Sequence, residues 1–340
     1  MLSEDDLKLV DALQARPRAP WSSVSRAAGM SAVTATRRWQ RLTERGEAWI
    51  SAYRGGDLRG QMVLGFVEIC CPPGRALHVA QALAADSSVT SVECTAGHCD
   101  LLVHVAIRTL SGLADYLTQQ LSALPDVLSS RTHVLTHLFS EGSTWQVRAI
   151  PASRRDALAA SSPRSLPPST RFDRLNRAIM QVLSEDGRAP APEIAARVGT
   201  GETTVRRRLT TLLASGALIL RCEIARSLSP APVTAMLWIR IPPDRLEATA
   251  RVLALLPETR MCASVSGDAN ILLIAWLTSQ DQLTVLENVL AARFPRLSVV
   301  DRAITVRPVK LMGRLLDEEG RSIGQVPLFR TLWPTGTGTE

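Results

Sequence analysis

Apolar residues recur at helical spacing between two glycines, Gly199 and Gly216. Val205, Leu209 and Leu212 fall at i, i+4 and i+7, so they share one face of a helix. Gly216 follows the last turn, where a residue with positive φ ends a helix. The opposite face is polar and basic, and it carries Glu202, Thr203, Arg206, Arg207 and Thr210. The pattern predicts an amphipathic helix with a basic outer surface.

A shorter helical run, 192–198, comes directly before this helix. Two short helices joined by a tight turn, the second with arginines opposite its buried stripe, are typical of a helix-turn-helix. The same pattern occurs 170 positions earlier, because Gly29 corresponds to Gly199. There the predicted buried positions are Ala35, Trp39 and Leu42.

The offset of 170 residues is kept far beyond the helices. Identical residues at this spacing include Leu13/Leu183, Arg18/Arg188, Pro20/Pro190, Arg37/Arg207, Pro72/Pro242, Gly97/Gly267, Leu102/Leu272 and Pro125/Pro295. An ungapped correspondence of this length predicts a tandem duplication.

From residue 62 the hydrophobic period changes to that of alternating strands and helices. The order βαββαβ is predicted for 62–139 and again for 233–307. This order predicts an α+β fold in which each ferredoxin-like module has a four-stranded antiparallel sheet covered on one face by two helices. The strands are too apolar for burial on one face only, so the bare sheet faces need a partner.

The duplication and the change of period divide the chain into six segments. Residues 149–170 are rich in Ser, Pro, Ala and Arg without an apolar period, which favours a linker. The last residues, from about Thr331, are predicted to be frayed. The segments are a helix-turn-helix domain at 1–56, a βαββαβ effector and dimerisation domain at 57–148, the linker at 149–170, a second helix-turn-helix domain at 171–226, a second effector domain at 227–312 and a tail at 313–340.

Composition narrows the class of protein. The 340 residues are 46% hydrophobic and 21% charged, as in globular proteins, and no run of about 18 apolar residues free of charge predicts a membrane span. The six cysteines have neither zinc-ligand spacing nor matching histidines, which argues against a metal site or a disulfide framework. Without a signal segment at the N-terminus, we expect a reduced, cytoplasmic protein with no membrane partner and no cofactor.

The net charge of +7 is unevenly distributed. Residues 1–56 carry nine Lys or Arg against six Asp or Glu, and residues 171–226 carry ten against six. Residues 57–150 carry five against eight. The positive excess thus gathers on the two helix-turn-helix segments, as a phosphate-binding surface requires, although a general arginine bias would also raise it.

The second copy resembles the leucine-responsive/asparagine-responsive regulator family (Lrp/AsnC). The likeness rests on Gly187-Arg188, Glu193-Ile194-Ala195, Val205-x-x-Arg208-Leu209-x-x-Leu212 and Gly216-x-Leu218. The first copy departs from the family pattern at Trp21 and Trp39. The resemblance implies a sequence-specific DNA-binding transcriptional regulator, not an enzyme, whose sandwich modules pair and bind an amino acid or similar small effector.

The resemblance places the DNA contacts on the second helix of each motif. Arginine reads guanine bidentately, so Arg37, Arg206 and Arg207 are candidates for base contacts, while Arg38, Arg41 and Arg208 reach phosphate or pack locally. The alternative is a merely solvated helix face. The complete predicted DNA-binding set is Ser31, Ala32, Val33, Thr36, Arg37, Arg38, Arg41, Glu202, Thr203, Arg206, Arg207 and Arg208.

The family's effector loop, a Gly-x-x-Asp turn between the second and third strands, matches Gly97-His98-Cys99-Asp100. The corresponding turn of the second copy has Gly267 and ends in Asn270, which lacks the carboxylate that would receive a ligand ammonium. Gly97, His98, Asp100, Gly267 and Asn270 are therefore the predicted effector residues, unless the glycines only supply tight turns. His104, His133 and His137 could also line a pocket, although such residues are more often strand surface or core.

Because one chain contains two units, we expect its effector modules to pair within the chain and to present two recognition helices to an imperfectly palindromic operator in double-stranded DNA. Such pseudo-dimeric chains are expected to form homo-oligomers. A second hypothesis is an enzyme, because siroheme decarboxylases share this layout, occur as fused pairs and act on a tetrapyrrole through histidine. The lack of histidine in the second half weighs against it. A third is an effector-sensing scaffold that no longer binds DNA.

Overall fold

The computed structural model describes residues 2–55, 62–160 and 173–328. The chain forms two compact units, each built from corresponding parts of both copies. The helix-turn-helix unit comprises residues 1–58, 146–228 and 321–340, and the second unit comprises 59–145 and 229–320. The two copies therefore associate like with like.

The elements of the first copy follow the predicted order. The helix expected to run from Leu110 to Leu124 continues beyond Asp115 as a π-helical stretch, Tyr116–Leu121. The elements are α1 (Glu4–Ala15), α2 (Trp21–Ala28), α3 (Ala32–Glu44), β1 (Ala48–Arg54), β2 (Val63–Cys70), α4 (Ala76–Ala84), β3 (Val89–Ala96), β4 (Leu101–Ile107), α5 (Leu110–Asp115), β5 (Ser129–Ser140) and α6 (Ala152–Ala160).

The second copy repeats this order, so the described chain is a mixed α+β protein. Two short strands lie in the segment predicted as a tail, while the residues from Thr331 onward lie outside the described ranges. The elements are α7 (Arg174–Glu185), α8 (Ala191–Val198), α9 (Glu202–Ala214), β6 (Leu218–Ile224), β7 (Val233–Arg240), α10 (Leu246–Leu253), β8 (Thr259–Val265), β9 (Ile271–Leu277), α11 (Asp281–Arg293), β10 (Ser298–Leu311), β11 (Arg314–Leu316) and β12 (Ser322–Gln325).

Helix α6 lies within the segment 149–170 that the sequence predicts as a linker. The Asp11 carboxylate of α1 is fully buried and accepts hydrogen bonds from the Ile150 N–H at 2.8 Å and the Arg155 guanidinium at 3.0 Å. Leu158 is buried against the same core. A buried carboxylate needs hydrogen-bond donors, so these polar contacts hold α6 against α1. Polar contacts of this kind do not produce an apolar period, which is why the sequence pattern does not predict the helix.

The two helix-turn-helix motifs share one hydrophobic core. The predicted buried positions of α3 and α9 all belong to this core, and they are Ala35, Trp39, Leu42, Val205, Leu209 and Leu212. Ser31 caps α3 by accepting a hydrogen bond from the Thr34 N–H at 3.1 Å, as expected of an N-cap serine. Gly29 ends α2 with a φ of 73°.

Strand β1 of the first motif pairs with β6 of the other copy. The two strands are antiparallel, with Ser51 opposite Arg221. Nearby, Arg18 donates to the Gly187 and Ala189 carbonyl oxygens, both at 2.8 Å, and Arg188 donates to the corresponding carbonyls of the first copy. The motifs are thus joined by a two-stranded sheet and by reciprocal arginine contacts.

In the second unit, eight strands close into a barrel, and we call it the barrel unit. The strand order is β10-β3-β4-β2-β5-β8-β9-β7, and β7 pairs again with β10. The long last strand of each βαββαβ module makes the closure possible. Strand β5 pairs first with β2 and then with β8, while β10 pairs first with β7 and then with β3. Helices α4 and α10 pack in apolar clusters on the outer faces of the strands.

This closure gives the bare sheet faces their partner. The sequence predicts two paired modules, each covering the other's bare sheet, whereas the structure joins their edges into one continuous curved sheet. The formerly bare faces become the barrel interior, which in a barrel of eight strands is just wide enough for side chains to fill.

Candidate functional site

The interior of the barrel unit is mostly apolar. Alternate residues along a strand face opposite sides of the sheet, so one set from each strand points inward. The inward set forms a single buried cluster drawn from both copies, and its members include Phe66, Leu102, Met236, Trp238, Ala263, Leu272 and Ile274.

One acid–histidine pair lies buried in this unit. The Nε2 atom of His133 on β5 is 2.9 Å from Oε2 of Glu68 on β2, and both residues are less than 10% exposed. The Nδ1 atom of His133 is 2.8 Å from the Ser266 carbonyl oxygen. The indole ring of Trp238 lies against the imidazole, with ring centroids 4.3 Å apart. The pair therefore combines residues of the first copy with a turn and an aromatic ring of the second.

The hydrogen bonds of His133 fix the location of one proton. A carbonyl oxygen can only accept, so Nδ1 carries a hydrogen and donates to Ser266. The contact between Nε2 and the Glu68 carboxyl then needs one more proton, held either by the imidazole or by the carboxyl. In both cases the pair contains a proton that it can give to a reacting group.

Two predicted effector glycines allow a turn of one copy to approach a strand of the other closely, and Gly267 does so at this site. Gly267 has a φ of +120°, and a Cβ built there would lie 2.8 Å from His133 Nδ1. A Cβ on Gly97 would lie 2.7 Å from the Cβ of Ala303. Any side chain at either position would collide with its neighbour, so both turns pack directly against other strands.

The predicted effector residues Asp100 and Asn270 make the same backbone contact in the two copies. The Asp100 carboxylate accepts a hydrogen bond from the Cys71 N–H at 2.7 Å. Asn270 accepts from the Ile241 N–H at 3.0 Å and also donates to the Ile241 carbonyl oxygen at 2.7 Å. These contacts tie each turn to the end of the first strand of its module. They favour the structural interpretation of both residues, while a contact with an effector stays a prediction.

The remaining histidines are dispersed. His104 packs edge-on against Phe66, with ring centroids 4.9 Å apart, and His137 packs against Phe139 at 4.4 Å. His98, in the predicted effector loop, is exposed. Of the histidines proposed to line a pocket, His133 is held by the Glu68 carboxyl inside the barrel.

Sequence reasoning missed Glu68 and Trp238. Glu68 lies inside an apolar strand, between Val67 and Ile69, and an acid at an inward position of such a strand needs a buried partner. The sequence around Glu68 therefore indicates that this acid has a buried partner. It does not indicate that the partner lies on β5, because strand register cannot be derived from local pattern.

Several predicted DNA-contacting arginines are bound to acids of their own motif. Arg38 reaches Asp5 and Asp6, each at 2.9 Å, and Arg41 reaches Asp6 at 2.7 Å. The bonds that the Asp6 carboxylate receives from Ser3, Arg38 and Arg41 hold the pKa of Asp6 below its usual value, although burial opposes this. In the second copy, Arg208 pairs with Asp173 at 2.7 Å and Arg206 with Glu202 at 2.5 Å. Arg38, Arg41 and Arg208 thus lie in local ion pairs, while their contact with phosphate stays a prediction.

The other predicted DNA-binding residues remain at the surface. Arg37 and Arg207 are exposed, and Val33 is 79% exposed. Thr36 donates its hydroxyl to the Ala32 carbonyl oxygen of the preceding turn at 2.9 Å. The set also includes Ser31, which caps α3, and Thr203, which is exposed on α9. These placements leave DNA contact by the set untested.

Within the described residues, no group of three or more His, Cys, Asp or Glu side chains is arranged to hold a metal ion. No described helix combines the length and the apolar character needed to cross a membrane.

Family comparisons match most of the sequence motifs. The model of the AsnC-type helix-turn-helix domain matches residues 2–43 and 172–213, again 170 residues apart, and the model of the Lrp/AsnC ligand binding domain matches residues 64–144. Helix-turn-helix domains are DNA-binding modules. An uncharacterised HTH-type transcriptional regulator of Pyrococcus abyssi is 31% identical over 100 residues, which cover 28% of this chain and 61% of that relative. The chain thus spans less than two thirds of the relative's length.

Comparison with solved structures gives a match over the whole chain. The crystal structure of the siroheme decarboxylase NirDL covers 97% of this chain and 98% of that one, with a TM-score of 0.58 and 14% identity. The same enzyme in complex with an iron-uroporphyrin III analogue gives a TM-score of 0.57 and 15% identity over the same shares of both chains. At this identity the likeness shows the fold.

This match corrects the prediction of a DNA-binding regulator without enzymatic activity. The arrangement of both copies in one chain is similar in fold to that of the siroheme decarboxylase NirDL, and the functional prediction from the helix-turn-helix motifs alone is wrong. The regulator prediction is wrong for a physical reason. The local sequence pattern predicts two helices and a turn, but it does not predict that the two motifs pair into one unit.

Proposed function

We propose that this chain, which belongs to the Lrp/AsnC family, is an enzyme that decarboxylates an iron tetrapyrrole. The observation that carries the proposal is the agreement with siroheme decarboxylase NirDL over 97% of the chain. It includes both helix-turn-helix motifs and both strand modules, so it concerns the complete arrangement of the duplicated chain.

The buried pair suits the chemistry of decarboxylation. When a carboxylate loses CO2, the bond between the two carbons breaks, its electron pair stays on the side chain, and that carbon must take up a proton. The proton between His133 Nε2 and Glu68 Oε2, which are 2.9 Å apart, is the source we assign to this step. The Ser266 carbonyl oxygen fixes the orientation of the imidazole ring by accepting from Nδ1–H.

The surroundings of the pair suit an aromatic polycarboxylate. Trp238 and Phe66 surround the pair with aromatic side chains that are buried in the barrel interior. Arg131 precedes His133 by two positions on the same face of β5, lies opposite Glu68 in the register and is exposed. We assign to its guanidinium the binding of a substrate carboxylate.

The other expectations change accordingly. The small-molecule effector is replaced by the tetrapyrrole substrate, and each half is taken as a ferredoxin-like module, bounded at 57–148 and 227–312, that contributes one half of the barrel. The AsnC-type helix-turn-helix domains imply binding of double-stranded DNA, and an imperfectly palindromic operator stays a prediction. Association of whole chains into oligomers stays a prediction.

Binding of iron uroporphyrin III to the full-length chain tests the proposal. We expect a saturable shift of the Soret band at one equivalent per chain. The His78→Gln variant is the matched control because His78 is exposed on α4, and it should bind like the unaltered protein. The absence of any Soret change, together with salt-dependent binding of DNA duplexes by the same preparation, would overturn the proposal.

A further inference from the structure

Two thiols of the first copy lie almost in bonding contact. The Sγ atoms of Cys70, at the end of β2, and Cys99, in the turn before β4, are 3.2 Å apart. Both residues are partly exposed. The sulfur atoms need to approach by only ~1 Å to reach the disulfide bond length of about 2.05 Å. The backbone on both sides is held: Thr95 donates its hydroxyl to the Cys99 carbonyl oxygen at 2.7 Å.

In the second copy, a hydrogen bond and not a pair of thiols joins the corresponding turn to the end of its strand. Arg240 occupies the position that corresponds to Cys70, and its Nε donates to the Asp268 carbonyl oxygen at 2.8 Å. In the first copy the corresponding contact, from Cys70 Sγ to the His98 carbonyl oxygen, is 3.9 Å long. An ordinary hydrogen bond therefore fastens the turn to the strand in the second copy, whereas a weak thiol contact does so in the first.

We propose that Cys70 and Cys99 form a reversible dithiol/disulfide pair that fastens the turn at 97–100 to β2 when it is oxidised. The pair is a modification site that the Lrp/AsnC domains do not explain, since the corresponding residues of the second copy are Arg240 and Ala269. The partner oxidant is a small-molecule disulfide such as oxidised glutathione.

The reaction proceeds by two thiol–disulfide exchanges. The Cys70 thiolate attacks one sulfur of oxidised glutathione, forms a mixed disulfide and releases one glutathione thiolate. The Cys99 thiolate then attacks the Cys70 sulfur and releases the second glutathione. The two protein thiols lose two electrons and two protons, and glutathione disulfide becomes two thiols. Burial, followed by the contact with Cys70, raises the pKa of the Cys99 thiol, so Cys70 is the attacking residue and the second exchange accelerates at alkaline pH.

The oxidised bond would lie beside the acid–histidine pair. Cys70 follows Glu68 by two positions on β2, so both side chains face the same side of the strand. A covalent link from Cys70 to the turn reduces the freedom of the strand end that carries Glu68. The link to catalysis rests on the proposed function, whereas formation of the bond does not.

Disulfide mapping of the full-length chain tests the proposal. The chain is equilibrated with oxidised glutathione, its remaining thiols are alkylated, and its peptides are analysed without reduction. We expect two of the six free thiols to be lost and Cys70 to be joined to Cys99 in one peptide pair that dithiothreitol separates. The Cys71→Ala variant, which removes the neighbouring thiol, should give the same pair, and Cys99→Ser should leave Cys70 as a glutathione adduct.

Two results would overturn it. In one, the unaltered chain retains glutathione on Cys70 with Cys99 still reduced. In the other, Cys70 pairs with a thiol other than Cys99. Neither measurement involves a tetrapyrrole, so failure here leaves the proposed function standing, and failure of tetrapyrrole binding leaves the disulfide standing.

Discussion

Charged side chains in this protein differ in role according to the residues around them. Glu68 and His133 are buried and bonded to each other, so the proton between them is kept from water and available to a reacting group. Arg38 is bonded to acids of α1 and is committed to its own motif. The sequence left such arginines either phosphate contact or local packing, and the structure shows the local ion pairs while phosphate contact stays a prediction.

Replacing His133 by glutamine tests the buried pair. Glutamine keeps most of the volume and can still donate to the Ser266 carbonyl, but it cannot transfer a proton. We expect the rate of decarboxylation, kcat, to fall about 10²- to 10⁴-fold, as for loss of a general acid, with a smaller change in KM. His78→Gln serves as the control and should retain the unaltered rate, measured as product formed under saturating substrate. Equal rates for His133→Gln and the unaltered chain would contradict the assignment.

Lys310 provides a pH-dependent contribution to stability. Its side chain is fully buried on β10, its Nζ donates to the Asp86 carbonyl oxygen at 2.7 Å, and burial lowers the pKa to about 8. Between pH 8 and its ordinary pKa of 10.5, the unfolded chain binds more protons than the folded one, so folding becomes more favourable as pH rises. Below pH 8 that gain is absent.

Denaturant unfolding across this pH range checks the contribution of Lys310. The free energy of unfolding of the unaltered chain, minus that of Lys310→Met, should increase by up to about 3 kcal/mol as pH rises from about 8 to about 10.5. Taking the difference between the two proteins removes the titration of other groups. A difference that stays constant or falls over this range would show that Lys310 titrates normally in the folded state.

At the scale of elements, local pattern predicted most helices and strands but not their partners. The glycine caps and the stripe of Val205, Leu209 and Leu212 place α9 correctly, because a helix end and its buried face depend on nearby residues. Strand β1 pairs with β6 of the other copy, a partner that its own sequence does not indicate. Strand pairing depends on residues far apart in the chain, so periodicity gives the strand without its neighbour.

The association of the two motifs can be tested at Arg188. This residue donates to the carbonyl oxygens of Pro17 and Ala19 and lies 4.0 Å from the centroid of the Trp21 ring. Arg188→Ala should lower the free energy of unfolding by about 2–4 kcal/mol, since it leaves two carbonyls without donors and removes a cation–π contact.

Arg197 is the matched control for Arg188. It is paired with Glu185 at the surface of the same unit, so Arg197→Ala should change stability by less than about 1 kcal/mol. Chemical denaturation of both variants measures the two losses in free energy of unfolding. Equal losses for the two would mean that the reciprocal arginine contacts add nothing to the association of the motifs.

At the scale of the whole molecule, duplication was evident from the sequence, and closure of the barrel was not. The offset of 170 residues required only identity along the chain. Closure depends on β5 and β10 each pairing with strands of both copies, which one copy alone cannot reveal. The sequence did predict that the bare apolar faces of the sheets needed a partner, and that need is the physical basis of the barrel.

Co-expression of residues 1–160 and 173–340 as separate chains tests this closure. Each fragment alone lacks strands with which its long fourth strand pairs, so together they should purify as a one-to-one complex that gel filtration does not separate. Alone, each should aggregate or pair with itself because its open strand edges are exposed. Two stable monomeric fragments that elute apart would contradict the barrel.

The central claim is that this duplicated chain is a decarboxylase, and product analysis tests it most directly. The full-length chain is incubated with siroheme under reducing conditions, and the tetrapyrrole is analysed by mass spectrometry at intervals. We expect species that have lost the mass of CO2, formed at a rate that His133→Gln lowers about 10²- to 10⁴-fold and that His78→Gln preserves. Siroheme recovered with all its carboxylates after prolonged incubation with folded protein would contradict it.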